Sequence, residues 1–265
     1  KVPDDAAAVI IFGPQSDLST DDVKKLDDYV ADGGKVFVGL DVLKSADEKN
    51  LNKFLNDNGI KATAGPVAET DDNYYYQTPY FLLPTVKDTK ATTDVVGDLQ
   101  VFIPLSAGLS KLKTDGVKFT TLMSTTDKAI AKNSLTDSDS IQNAISDTNT
   151  IKKESGDEQG KFALGLIAKN SNKGVVAAFG SVYTFTDQMN QQISGRNATL
   201  FSDVFAYLLP SDSGTSVSIP SKSIDATTLA INASSIRIFG LLFGIFLPLA
   251  LIVYGIVVCI VRKRR

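Results

Sequence analysis

Residues Val9 to Asp41 read VIIFGPQSDLSTDDVKKLDDYVADGGKVFVGLD, and this stretch decides the fold class. Ala6 to Phe12 (AAAVIIF) is a short continuous apolar run, the pattern of a strand buried on both faces. Gly13-Pro14 breaks it. Ser19 or Thr20 then caps a helix expected to run to about Asp32, with Asp21 and Asp22 at the positive end of its dipole. Val23, Leu26 and Val30 fall on one face. Gly33-Gly34 ends the helix, and Lys35 to Leu40 (KVFVGL) is a second buried strand. The unit is βαβ, so a parallel pair with a right-handed crossover is expected.

The pattern continues downstream with less regularity. A second helix is expected over Glu48 to Asn58, with Leu51, Phe54 and Leu55 inward and Gly59 as its stop, followed by a strand over Ile60 to Ala64. Val101 to Leu105 and Val117 to Met123 read as strands. Residues 132–160 are rich in Ser, Thr, Asp, Asn and Lys, which suits a long surface loop or a poorly ordered insertion. Phe162 to Ala168 and Gly174 to Phe179 read as two strands joined by a turn at Asn170-Ser171-Asn172-Lys173. A last helix spans about Ala198 to Leu209, with Asn197 as N-cap and Phe201, Val204, Phe205 and Leu208 inward. Val217 to Ile219 can add an edge strand.

The C-terminus reads differently. Ile238 to Val261 is an uncharged run of 24 residues. As a helix it would extend roughly 36 Å, enough for a ~30 Å hydrocarbon core. Pro248 lies inside it, as bilayer helices allow. Arg262, Lys263, Arg264 and Arg265 follow, against Arg237 alone on the other side, so the C-terminus is expected on the cytoplasmic face. The organisation expected is an extracytoplasmic α/β domain over 1–219, a linker over 220–235, a transmembrane helix over 236–261 and a basic tail over 262–265. Setting aside those five basic residues leaves 22 of the 27 Lys+Arg against 30 Asp+Glu, near −8 for the rest, which disfavours nucleic acid as a partner. The lone cysteine, Cys259, lies in the apolar run, so no internal disulfide forms. The chain starts at Lys1 with no signal-peptide pattern, and an exported domain implies further sequence upstream.

Motifs for catalysis are scarce. With no histidine in the chain, Ser-His-Asp, Cys-His and HExxH arrangements are excluded. Neither GxxxxGK[ST] nor GxGxxG occurs. No cofactor or metal is expected. Carboxylates remain: Asp41 follows the second strand, where open α/β sheets place their sites, and Asp187 holds a similar place after the strand ending in Phe179. The two could form an acid and base pair, or serve as caps and turn formers. Asn73 to Tyr80 holds four tyrosines, and Tyr74 and Tyr76 alternate against Tyr75, as a strand packed on one face, a protein interface or a sugar-stacking surface would. Asn197-Ala198-Thr199 and Asn232-Ala233-Ser234 are glycosylation sequons.

Taken in order, residues 9–41, the segment GVVAAFGSVYTFTDQMNQQISGRNATLFSDVFAYLL (174–209) and the C-terminal apolar helix with Pro248 and its basic tail resemble the GldG family, auxiliary components of ABC-type transport systems. Phe185 and Asn197 fall at the family's loop phenylalanine and pre-helix asparagine; the chain departs in reading SVYTFTD after Gly180. The resemblance implies a flavodoxin-like, glutamine-amidotransferase-like parallel sheet lacking a catalytic cysteine, on the outer face of the membrane. It also implies a permease and its ATPase as partners, beside the lipid bilayer itself. The function expected is a non-enzymatic accessory subunit of an ABC-2-type transporter, whose ectodomain binds a polysaccharide, peptide or protein through residues such as Asp41, Tyr74, Tyr76, Asp187 and Asn197. Two alternatives are a membrane-anchored hydrolase acting on envelope polysaccharide through its carboxylates and a non-catalytic subunit of an oligosaccharyltransferase-type complex.

Overall fold

The structure, a computed structural model, describes residues 1–44, 47–96, 101–147, 151–193, 195–209, 242–246, 248–249, 254–255 and 262–263. The chain divides into two compact units, Lys1–Gly214 and Thr215–Arg265.

The first unit begins as the sequence predicts. Strand β1 (Val9–Phe12), helix α1 (Thr20–Ala31) and strand β2 (Lys35–Gly39) form the βαβ unit, with β1 and β2 parallel. Ser19 caps α1, its hydroxyl accepting from Asp22 N at 3.1 Å, and Val23, Leu26 and Val30 are the buried stripe. Gly33 takes a positive φ of 97° while Gly34 N donates to Tyr29 O at 2.8 Å, which turns the chain into β2. Helix α2 (Lys49–Asp57) follows, burying Leu51, Phe54 and Leu55 as expected.

The middle supplies β3 (Ile60–Ala68), β4 (Tyr75–Tyr76), β5 (Thr78–Leu82), β6 (Thr85–Val86), β7 (Ile103–Pro104), β8 (Ala107–Lys111), β9 (Lys118–Ser124), β10 (Ile130–Ala131), α3 (Ser138–Ser146) and β11 (Glu158–Gln159). Strands β12 (Ala163–Lys169) and β13 (Val175–Phe179), a short 3₁₀ turn (Val182–Phe185), α4 (Asp187–Gln192) and α5 (Arg196–Leu208) complete it. The main sheet runs β1-β2-β13-β12-β8-β3-β10-β11, with β9 paired to β12 and to β6; β4, β5 and β7 form a separate small sheet.

The molecule is thus mixed α/β. The parallel register holds for β1, β2 and β13. Beyond β13 every pairing is antiparallel, which corrects the expectation of a parallel sheet throughout. For β12 and β13 the reason is local: a short hairpin turn around Lys173, at φ 69°, joins them and leaves no length for a parallel crossover.

Two cores lie on the two faces of the sheet. Val36, Val38 and Leu40 of the β2 segment join α1 and α2, while Phe37 between them joins Phe179 and the α5 residues Leu200, Val204 and Leu208. All four β2-segment residues have no exposed surface. The region 132–160 is structured where described. Lys132 Nζ donates to Asp157 Oδ2 at 2.5 Å, Glu154 Oε2 at 2.8 Å and Lys152 O at 3.1 Å, and α3 packs beside β5. This polar segment is held by a buried ion pair together with the fully buried Ile141 of α3.

In the second unit the described residues Leu242–Phe246, 248–249 and 254–255 are helical, with Phe243, Ile245, Phe246, Leu249 and Tyr254 exposed. No helix among the described residues is long and apolar enough to cross a membrane. The predicted span 236–261 falls for the most part outside the described residues, as do the linker, the strand at 217–219, Cys259 and Asn232. Arg262 and Lys263 are exposed and helical; Arg264 and Arg265 lie outside the described residues.

Candidate functional site

The three parallel strands end together, and their C-terminal edge is the natural place to look. Leu40 N donates to Phe179 O at 2.9 Å and Val182 N donates back to Leu40 O at 2.9 Å, locking the segments after β2 and β13 side by side. Gly180 is required at this junction, since a Cβ there would lie 2.0 Å from Ala107 O.

Asp41 emerges from β2 into this edge and is 9% exposed. Its Oδ1 accepts from Leu43 N and from the Tyr183 hydroxyl, both at 3.1 Å. Burial, and then the Asp41 charge, push the Tyr183 phenol up to about 12, so it stays protonated and donating. Glu48 sits close by at the start of α2. Both of its carboxylate oxygens are buried without a hydrogen-bond partner, and it is 3% exposed. Burial, followed by repulsion from Asp41 and Asp17 and offset in part by Lys44, raises it to about 7. Asp17 carries out the cap that Glu48 does not, accepting from Asn50 N at 2.8 Å and Leu51 N at 3.1 Å.

Asp187 is elsewhere. It opens α4, is exposed, and lines a cleft of about 360 Å³ with Ile10, Phe12, Phe185 and Phe201. No hydrogen bond or shared cavity joins it to Asp41 among the described residues, so the acid and base pair is not assembled. Among the described residues no group of three or more His, Cys, Asp or Glu is placed to hold a metal ion.

Asn197 is not the N-cap the sequence suggested. Gly195, at φ 84°, takes that place, and Asn197 lies inside the first turn of α5 with no exposed surface. Its Nδ2 donates to Thr184 O at 2.6 Å and Phe102 O at 2.7 Å, and its Oδ1 accepts from Phe102 N at 3.1 Å. The side chain ties α5 to the 3₁₀ turn and to the segment before β7. That use of the amide leaves it no free donor for a glycan in the folded chain.

The tyrosine cluster divides. Tyr80 is fully buried, while Tyr76 is 51% exposed and packs edge-on against Phe102 at 6.3 Å. Tyr74 is half-buried and its carbonyl accepts from Leu83 N at 2.8 Å in the hairpin. The neighbouring cleft of about 320 Å³ is lined instead by Tyr75, whose hydroxyl donates to Asp72 at 2.8 Å, with Glu69, Asp147 and Ile145. Glu69 is spent internally, accepting from Thr70 N, Asp71 N and Thr126.

Sequence reasoning missed Phe12, Phe201, Glu48 and Tyr183. Phe12 read as strand interior because its run is continuously apolar, yet it is 41% exposed at the sheet margin. Glu48 read as a helix-start acid, a common and bland assignment. Only its lack of partners sets it apart.

No protein-family model matches the chain, and no curated protein sequence matches it. Among solved structures it is similar to the mmIFT52 N-terminal domain, at 20% identity and a TM-score of 0.53, over 77% of each chain. At that identity the likeness concerns the fold alone.

Proposed function

We propose that this chain is a non-enzymatic accessory subunit of an ABC-2-type transporter, of the GldG kind, with the α/β domain outside the membrane and the C-terminal helix across it. The observation that carries the reading is the ordered set of sequence landmarks: β1, Gly13-Pro14, α1, Gly33-Gly34, β2, then β13, Phe185 and α5, ending in the apolar run 238–261 with its basic tail. The domain's finer ancestry is glutamine-amidotransferase-like in the β1–α1–β2–β13 half, with the antiparallel strands as the elaboration. Support for a binding rather than a catalytic role comes from the C-terminal edge of those strands, where Asp41 is occupied by Tyr183 and by its own loop and Asp187 stands apart. Purification of the full chain in mild detergent through a tag after Arg265 is expected to recover a permease and an ATPase. A chain that runs as an isolated monomer from its native membrane sinks the proposal.

A further inference from the structure

The main sheet ends at β1, which among the described strands is bonded to β2 alone. A parallel ladder uses every second residue of a strand. Gly13 N donates to Gly39 O at 3.0 Å, so Val9 and Ile11, in step with Gly13, face β2 and the main-chain groups of Ile10 and Phe12 face outward. The side chains of the same two residues are 55% and 41% exposed. They floor the cleft of about 360 Å³, whose wall is aromatic: Phe12 and Phe185 lie 6.0 Å apart, and Phe185 and Phe201 5.4 Å. The lining holds one carboxylate, Asp187, and no Lys or Arg.

We propose that this margin receives an extended polypeptide segment as an added strand beside β1, with a Lys or Arg side chain of that segment crossing the phenylalanine rings to reach Asp187. An extended main chain presents a donor and an acceptor about every 6.8 Å along each edge, the spacing of Ile10 and Phe12, and so matches the outward groups of β1. A long basic side chain lays its methylenes on apolar surface and its charge over ring faces, and here it ends on a carboxylate in a cleft whose described lining has no Lys or Arg. That charge match selects the occupant. A second copy docking by its own β1, which reads Val9-Ile10-Ile11-Phe12, brings no cation to the cleft. The inference stands on β1 and the cleft, independently of the transporter reading.

The test uses the full-length chain in mild detergent and two fluorescein-labelled octapeptides, one of alternating valine and lysine and one of alternating valine and glutamate, followed by fluorescence anisotropy at about 0.15 M salt. The lysine peptide is expected to bind at least tenfold tighter than the glutamate peptide. Asp187→Asn is expected to weaken it about tenfold, or about 1.4 kcal/mol. Ile10→Lys, at an exposed position that sheet edges tolerate, is expected to abolish binding with the circular dichroism unchanged. Equal binding of the two peptides, no binding of either, indifference to Asp187→Asn, or a chain dimer that Ile10→Lys disperses while the peptide is excluded would each overturn the proposal. If Ile10→Lys unfolds the chain, the peptide pair and Asp187→Asn still decide it.

Discussion

Replacing Glu48 by glutamine isolates the cost of one buried, partnerless carboxyl. Glu48 stands at about 7 in the folded chain against an ordinary 4.5, raised first by burial and then by Asp41 and Asp17. A raised carboxyl binds its proton more tightly in the folded state than in the unfolded one. Below pH 4.5 both states are protonated and the group costs nothing. Between pH 4.5 and about 7 the unfolded chain ionises first and stability falls. Above about 7 both are ionised and the full penalty is present. At ~1.4 kcal/mol per pH unit the shift corresponds to at most about 3.5 kcal/mol, and water reaching the site reduces it. Glu48→Gln keeps the shape and removes the ionisation. The advantage of the variant over the parent chain should therefore grow by roughly 2–3 kcal/mol between pH 4.5 and 8 and be flat below 4.5. Urea titrations at pH 4, 6 and 8, read by far-ultraviolet circular dichroism because the chain has no tryptophan, measure it. If the variant and parent differ by the same amount at all three pH values, Glu48 ionises alike in the folded and unfolded chain and the burial argument fails.

Three further outcomes are expected. Lys132→Met should destabilise by about 3–5 kcal/mol in denaturant titration, because it strands the buried Asp157 carboxylate; adding Asp157→Leu should recover much of that loss. Asn197→Ala should cost about 2–4 kcal/mol by the same assay, since three hydrogen bonds vanish and the main-chain groups of Phe102 are left in a dry interior. Gly180→Ala should leave no folded, soluble chain on size-exclusion chromatography, because the Ala107 carbonyl that its methyl would strike is main chain and part of the sheet.

What the sequence revealed follows from how local the signal was. Helix α1 announced itself through a cap, a stripe and a glycine stop within sixteen residues of chain, Ser19 to Gly34, and the structure places each of those roles as read. The buried strands β2, β12 and β13 were legible from their continuous apolar runs. The parallel β1–β2 pair and the β12–β13 turn were legible as well; the pairing of β13 with β2 was not, because those two strands meet from across the whole domain. Asn197 was read as the cap although it lies two positions past it, because a cap and a buried tether look alike in one dimension; Phe102, which fixes its role, lies 95 positions away. The Lys132–Asp157 pair was invisible for the converse reason. Charged residues in a polar segment read as solvated surface until the segment is seen to fold back on itself.

The placement of β13 has one more consequence. It lies between β2 and β12, and the chain makes it after all the other described strands. Until Val175–Phe179 has been synthesised, β2 has a bare flank and Phe37 lacks the ring of Phe179, which finally stacks on it at 5.2 Å. The opening βαβ unit is therefore an incomplete half that waits for its keystone through most of translation. A ribosome that stalls, or a truncation anywhere before residue 175, releases a fragment with an unpaired, apolar strand on display.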